Sequence, residues 1–173
     1  VNPVPAVQKP SFSRRLFQSA TRVTAFCAGF TLLCWLLNWL SYRVIKGRIL
    51  RRQRWDLNVC CGQTDGGGIN VDIVRHADVP NLVLVGDVCR LPFADEQFDT
   101  VLCSHTMEHV DSPSAFYGEL KRVGNEVTVL VPPLWDLSAA FNPIDHKWVF
   151  ATMRTEHRDL PWHVRMPLSS LYH

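Results

Sequence analysis

Hydrophobic positions fall into two regimes along the chain. From Val23 to Leu40 they form one run, broken only by Thr24, Thr31 and Asn38 among the polar residues. Beyond Trp55 they shorten into bursts, each ended by Gly, Asp or Ser. These are Asp56–Gly62, Gly66–Asp72, Leu82–Asp87 and Thr100–Ser104. Short apolar bursts closed by turn residues predict strands buried in a parallel sheet, whose carboxyl edge is the usual place for a ligand. Asp111-Ser112-Pro113 reads as a helix start with proline inside the first turn. Phe116, Leu120 and Val123 then recur at i, i+4 and i+7, a buried stripe. Val127–Val131 predicts a fifth strand, stopped by Pro132-Pro133. After Pro133 periodicity fades, leaving room for a helix and short strands around 147–151 and 163–166. Asp72 stands only ten positions after Gly62, which predicts a turn or an abbreviated helix in place of a full crossover helix.

With Ser41 and Tyr42 the first run reaches 20 residues, about the length needed to cross a hydrocarbon core of roughly 30 Å. Trp35, Trp39 and Tyr42 gather at one end, as in an interfacial aromatic belt. A signal peptide and a buried core helix are the competing readings. The run is long for the first, and bulky Trp residues stand where a cleavage site has small ones. The expected organisation is an extended or amphipathic arm over 1–22, a transmembrane helix over 23–42, a basic juxtamembrane linker over 43–55 and a globular domain over 56–173. Arg14, Arg15 and Arg22 would face lipid headgroups, with Leu16 and Phe17 at the acyl boundary. Asn38 would bond a partner helix or sit at the interface. Fully extended, the linker spans about 45 Å, and as a helix about 20 Å, so the domain sits close to the membrane.

Charge sharpens the division. Residues 1–54 carry ten Lys and Arg and no acid, against eight basic and sixteen acidic residues over 55–173. A globular part so acidic is no nucleic-acid binder, and the basic half suits a membrane surface. Four basic residues precede the apolar run and six lie closely after it, which favours a cytoplasmic C-terminal domain on a single-pass protein. The expected partners are membrane lipids and membrane proteins met through residues 23–42. The six cysteines contain no Cys-x-x-Cys, so neither a disulfide framework nor a metal site is predicted.

Leu57 to Asp72, Gly86 to Phe93, Phe98 to Val101 and Ser104-His105-Thr106-Met107-Glu108-His109-Val110 together resemble the class I methyltransferases that use S-adenosylmethionine. The likeness is to a small subgroup with an LN-x-GCG opening and a short route to Asn-Val-Asp. It covers about residues 56–133 and extends weakly to Asn142–His146 and Phe150. It implies an α/β, Rossmann-like parallel sheet, an abbreviated form of that fold, preceded by one transmembrane helix. It also implies a cofactor set of Asn58, Cys60, Gly62, Asp72, Asp87, Val88 and Ser104. Cys60, Cys61 and Gly62 would form the turn under the methionine part, Asp72 would hold the ribose, and Asp87 with Val88 would flank the adenine. Ser104 and His105 would lie near the transferred methyl, with His105 the catalytic candidate. Glu108 and His109 are acid/base candidates or caps of the next helix.

Two departures bear on activity. Cys60 replaces the first glycine of the usual turn, where backbone approaches the cofactor closely, and Gln63-Thr64-Asp65 replaces the next. Two functions therefore stand. One is a membrane-anchored methyltransferase with a lipid-linked or membrane acceptor. The other is a non-catalytic accessory subunit of a larger membrane complex, respiratory or photosynthetic for example, built on a degenerate methyltransferase fold.

Overall fold

The apolar bursts become strands whose side chains alternate between two covered faces. In the computed structural model, which describes residues 12–142 and 144–167 (side chains from residue 19), β1 is Trp55–Val59, β2 Gly67–Asp72, β3 Leu82–Leu84, β4 Phe98–Ser104 and β5 Gly124–Leu130. These five strands are parallel, in the order β3-β2-β1-β4-β5, and a two-residue β7 (Glu156–His157) adds antiparallel to β5 at the edge. β6 (Trp148–Phe150) and β8 (His163–Arg165) form a separate antiparallel ribbon. The helices are α1 (Phe12–Trp39), α2 (Lys46–Leu50), α3 (Pro113–Val123) and α4 (Leu137–Ala140), with a π-helical turn over Leu40–Ile45 between the first two. The arm expected before Phe12 lies outside the described residues.

Only the β4–β5 crossover carries a helix, α3. Its N-cap is Ser112, whose hydroxyl accepts from the Ala115 amide, and Pro113 sits in the first turn. Phe116, Leu120 and Val123 are fully buried on one face of the sheet with Leu57, Val59, Val101, Cys103, Val127 and Val129. The connections β1–β2, β2–β3 and β3–β4 have no helix. A parallel sheet needs both faces covered, and the segment read as a linker supplies part of the second cover. Ile49, with Ile45 and Leu50 beside it, clusters with Trp55, Leu102 and Leu130, apart from the core that contains α3.

The π turn is what makes this docking possible. In an α-helix, residues five apart point about 140° away from each other. A turn closed by i→i+5 bonds brings them onto one side. Here the Lys46 amide donates to the Ser41 carbonyl, and Ser41, Lys46 and Ile49 are all buried against the domain. Asn38, predicted to meet a partner helix or the interface, donates instead to the carboxylate of Asp136 in the same chain (3.3 and 3.5 Å). Before Asn38 the helix is bare. Val23, Phe26, Phe30, Leu32, Leu33, Trp35 and Leu36 are all exposed, and the helix is long and apolar enough to cross a membrane.

Arg122 at the end of α3 ties the β3–β4 connection down. Its guanidinium donates to the carbonyls of Leu91 and Phe93 and pairs with Glu119 and Asp95 at 2.7 Å each. The Arg122 hydrogen bond, and next burial acting the other way, leave the Glu119 carboxyl below its usual value of 4.5. A carboxyl depressed in the folded state stabilises fully above its unfolded pKa and loses that contribution as pH falls. Denaturant midpoints of Glu119→Gln should therefore lie below those of the parent at pH 7. The gap should narrow below about pH 4.5. A gap independent of pH would mean that the pairing carries none of the stability.

Candidate functional site

Three strand ends meet at one edge of the sheet in polar residues and glycine. Cys60-Cys61-Gly62 comes after β1, Asp72 closes β2, and Ser104 closes β4 with His105 next in the chain. They surround a cavity of about 850 Å³ lined also by Ile73, Val74, Val88, Thr106 and His109. Cys60 (φ +54°) and His105 (φ +53°) hold left-handed backbone conformations at the ends of adjacent strands, a conformation that costs a non-glycine residue energy and gathers at functional sites.

The turn after β1 is built from its own polar groups. Asn58 donates its amide to the Asn70 side chain and the Thr64 carbonyl, both at 2.9 Å. Asn70 in turn accepts from the Gly66 amide and donates to Asp65 and the Pro80 carbonyl. Gly66 has no room for a side chain, since a Cβ there would stand 2.7 Å from that of Asn58. Two buried asparagines thus take the place of a crossover helix, fixing a short route from β1 to β2.

Asp72 completes the turn. One carboxylate oxygen accepts from the Gly62 amide and the other from the Ile73 amide, each at 2.8 Å. Gly62 (φ +57°) has nothing within 4 Å of where a Cβ would stand, so the backbone is open to the cavity. Burial, then the Asp72 charge, push the Cys60 thiol up to about 12, and the same causes push Cys61 to about 11. Both are neutral thiols at neutral pH, inert as nucleophiles.

His105 and Glu108 form a second polar group at the end of β4. His105 Nδ1 lies 3.5 Å from a carboxylate oxygen of Glu108, and Glu108 is 1% exposed. Burial raises the Glu108 carboxyl, but the His105 hydrogen bond and the His105 and His109 charges together outweigh it and leave it below the usual range. His109 Nδ1 bonds the Asp145 carbonyl at 2.8 Å, and its ring meets that of His146 edge to face. Burial is the main cause that lowers the His146 pKa.

Of the predicted cofactor residues, Cys60, Gly62, Asp72, Val88 and Ser104 line the cavity, as does His105. Asn58 does not: it is buried behind the turn and shapes it. Asp87 does not either. β3 stops at Leu84, which leaves Asp87 exposed beyond the strand end, capping the Cys89 amide at 2.8 Å. The structure adds three lining residues from the N-terminal helix, Tyr42, Arg43 and Lys46. The Tyr42 ring lies 5.1 Å from that of His105, and the buried Lys46 ammonium sits 4.0 Å from the centre of the Tyr42 ring. No motif marks them, because their place depends on the π turn. A second cleft of about 910 Å³, on the side of Ile45, Arg48 and Ile49, contains none of the predicted residues.

A five-stranded parallel sheet in this order, with an antiparallel edge beyond β5 and a cavity at the carboxyl ends of β1, β2 and β4, defines a Rossmann-like methyltransferase fold. Residues 61–129 match the methyltransferase domain family. This part of the chain is similar to the class I methyltransferases, whose cofactor is S-adenosylmethionine. Over 113 residues it is 26% identical to the malonyl-[acyl-carrier protein] O-methyltransferase of Hahella chejuensis, covering 62% of this chain and 38% of that protein. Among solved structures, a SAM-dependent methyltransferase from Aquifex aeolicus aligns at 15% identity and a TM-score of 0.39, over 54% of this chain and 66% of that one.

The residues fit that cofactor. The cavity is within the size range of small-molecule sites, the Gly62 turn is open, and Asp72 brings a carboxylate to its wall. Cys60 puts no charge there. Asp72 would hold the ribose hydroxyls, Gly62 the methionine part and Val88 the adenine. Bound, the cofactor supplies an electrophilic methyl on a sulfonium whose leaving group is a neutral thioether.

Proposed function

We propose that this protein is a membrane-anchored methyltransferase that modifies a lipid-linked or membrane-resident acceptor. The observation that carries this reading is the course of the N-terminal helix. One continuous helical segment is bare and apolar up to Leu36, bonds the domain at Asn38, and lines the cofactor cavity with Tyr42, Arg43 and Lys46. From Ser19 to Leu37 such a helix measures about 28 Å, close to a hydrocarbon core of roughly 30 Å. Bare apolar surface on that scale marks a lipid or protein contact. α4 packs against α1 and exposes Leu137, and Phe141 after it is exposed as well. These apolar groups beside the end of the span suit the headgroup boundary.

The cavity wall built by the helix is cationic, through Arg43 and Lys46, and suits an acceptor bearing a phosphate or carboxylate. The name of the Hahella chejuensis relative gives that protein an oxygen acceptor, and an oxygen acceptor is proposed here too. Tyr42 and Ser104 position it, and His105, held by Glu108, takes its proton. Alignment supplies most of the rate, since the methyl donor is already activated. The domain faces the cytoplasm, in keeping with the larger number of basic residues after the apolar run.

The test is methyl transfer from labelled cofactor to lipid extracts, with the chain reconstituted in vesicles. Labelled lipid should appear, and Tyr42→Ala should cut the yield about tenfold or more, the cost of a misplaced acceptor. Labelled lipid at equal yield from Tyr42→Ala would show that the helix plays no part in the site. No transfer, with intact cofactor binding, would favour the accessory-subunit reading.

A further inference from the structure

Beside the cavity, the segment after β4 meets the segment before β6. The Glu108 carbonyl accepts from the amides of Lys147 and Trp148 at 2.7 and 3.2 Å, and this brings His146 over the Glu108 side chain. One ligand atom from each of Glu108, His109 and His146 lies within 4.8 Å of the other two. Glu108 and His146 are 1% and 7% exposed. The second carboxylate oxygen of Glu108 and Nδ1 of His146 are buried with no hydrogen-bond partner.

A buried carboxylate oxygen without a donor costs the full desolvation of that atom. It is found here beside an imidazole nitrogen in the same state. With Nδ1 of His146 as the deprotonated nitrogen, a cation held between the two satisfies both. His109 is arranged for the same task. Its Nδ1 meets the Asp145 carbonyl, which fixes the tautomer and leaves Nε2 as the ligand nitrogen, the usual outer-sphere support of a metal-bound histidine.

We infer that Glu108, His109 and His146 form a binding site for a divalent transition-metal ion at the edge of the methyl-transfer cavity. Two imidazoles and one carboxylate suit zinc and its first-row neighbours, which leave a coordination position open for a further ligand, and suit magnesium or calcium poorly. His105 and His109 line the cavity as well. If the methyltransferase reading above holds, the open position serves an acceptor oxygen and favours its ionised form.

The sequence showed His105, Glu108 and His109 in one motif, but His146 stands 37 residues further on and only the fold adds it.

The test uses the full chain in detergent, purified without a histidine tag and stripped with chelator. Zinc is titrated by calorimetry in the absence of cofactor, and cobalt is added to a parallel sample as a spectroscopic probe. One equivalent of zinc should bind, and cobalt should give visible d–d absorption displaced by zinc. Glu108→Gln and His146→Ala should each weaken zinc about 100-fold or more, beyond the loss that outer-sphere changes cause. Should Glu108→Gln not fold, the exposed His109→Ala replaces it. Absence of stoichiometric zinc binding, or equal affinity in parent and variants, overturns the site. Binding of S-adenosylhomocysteine, measured on the same samples, reports on the cofactor site separately. Its loss with zinc binding intact would count against the methyltransferase reading alone.

Discussion

Replacing Asp72 by asparagine is expected to weaken S-adenosylmethionine binding by roughly 30-fold or more. Two effects add. The carboxylate is the one acid at the β2 end of the cavity, and a hydrogen bond to a charged group contributes about 1.5–3 kcal/mol. It also accepts from the Gly62 and Ile73 amides at 2.8 Å. An asparagine can keep one of those bonds but turns a donor towards the other amide, so the turn that should carry the methionine part is released. The sheet should survive, because Asp72 lies at its edge and β2 keeps its pairing with β1 through Leu57–Ile69 and Val59–Val71. Calorimetric titration beside a circular dichroism spectrum separates the two. Unchanged affinity in a folded variant would remove Asp72 from the site.

Trp55→Ala is expected to be the most damaging single truncation in the second core. Trp55 is 1% exposed, donates its indole N–H to the Leu50 carbonyl at 3.3 Å, and packs with Ile49, Leu102 and Leu130. Phe/Trp→Ala changes in cores cost about 3–5 kcal/mol, which is on the order of a 10 °C fall in Tm for a chain of this size. The loss should not be uniform. Without Trp55 the helix loses its seat on the sheet, so amides around Ile45–Leu50 should exchange faster while those of α3 stay protected. An even loss of protection across both cores would mean that helix and sheet form a single cooperative unit with no distinct joint.

How far the sequence foretold this structure depends on whether local chemistry or tertiary docking places a residue. Asp72 and Ser104 were legible because each is a polar residue closing an apolar burst, and strands end where burial ends. Ser112, Pro113, Phe116, Leu120 and Val123 were legible for the same kind of reason, a cap and then a stripe. Asp87 was read as closing the third strand, but β3 is an edge strand that ends at Leu84, with Val83 and Leu84 exposed. A weakly buried strand leaves little in the sequence to fix its end. Asn58 was assigned to the cofactor by resemblance, and the structure gives it a part in building the turn through its buried partner Asn70. β7 was not foreseen, since a two-residue edge pairing leaves no periodicity.

Tyr42 and Lys46 were beyond reach for another reason. A lysine among arginines after an apolar run reads as one more headgroup contact. Only the π turn, which sets Ser41 and Lys46 on the same side, takes Lys46 out of solvent and places it against the Tyr42 ring. The same turn makes the helix part of the site, and on that joint the proposed membrane-linked chemistry depends.

The most direct measurement is titration of S-adenosylhomocysteine into the full chain held in lipid nanodiscs, for the parent and for Asp72→Asn. A working cofactor site predicts binding of one equivalent in the micromolar range and its loss in the variant. Absence of binding at millimolar ligand, from a sample whose amides show the sheet intact, would contradict it. The Cys60–Gly62 turn would then be a closed relic, and the helix Ser19–Leu50 would belong to an assembly that uses this domain without its chemistry.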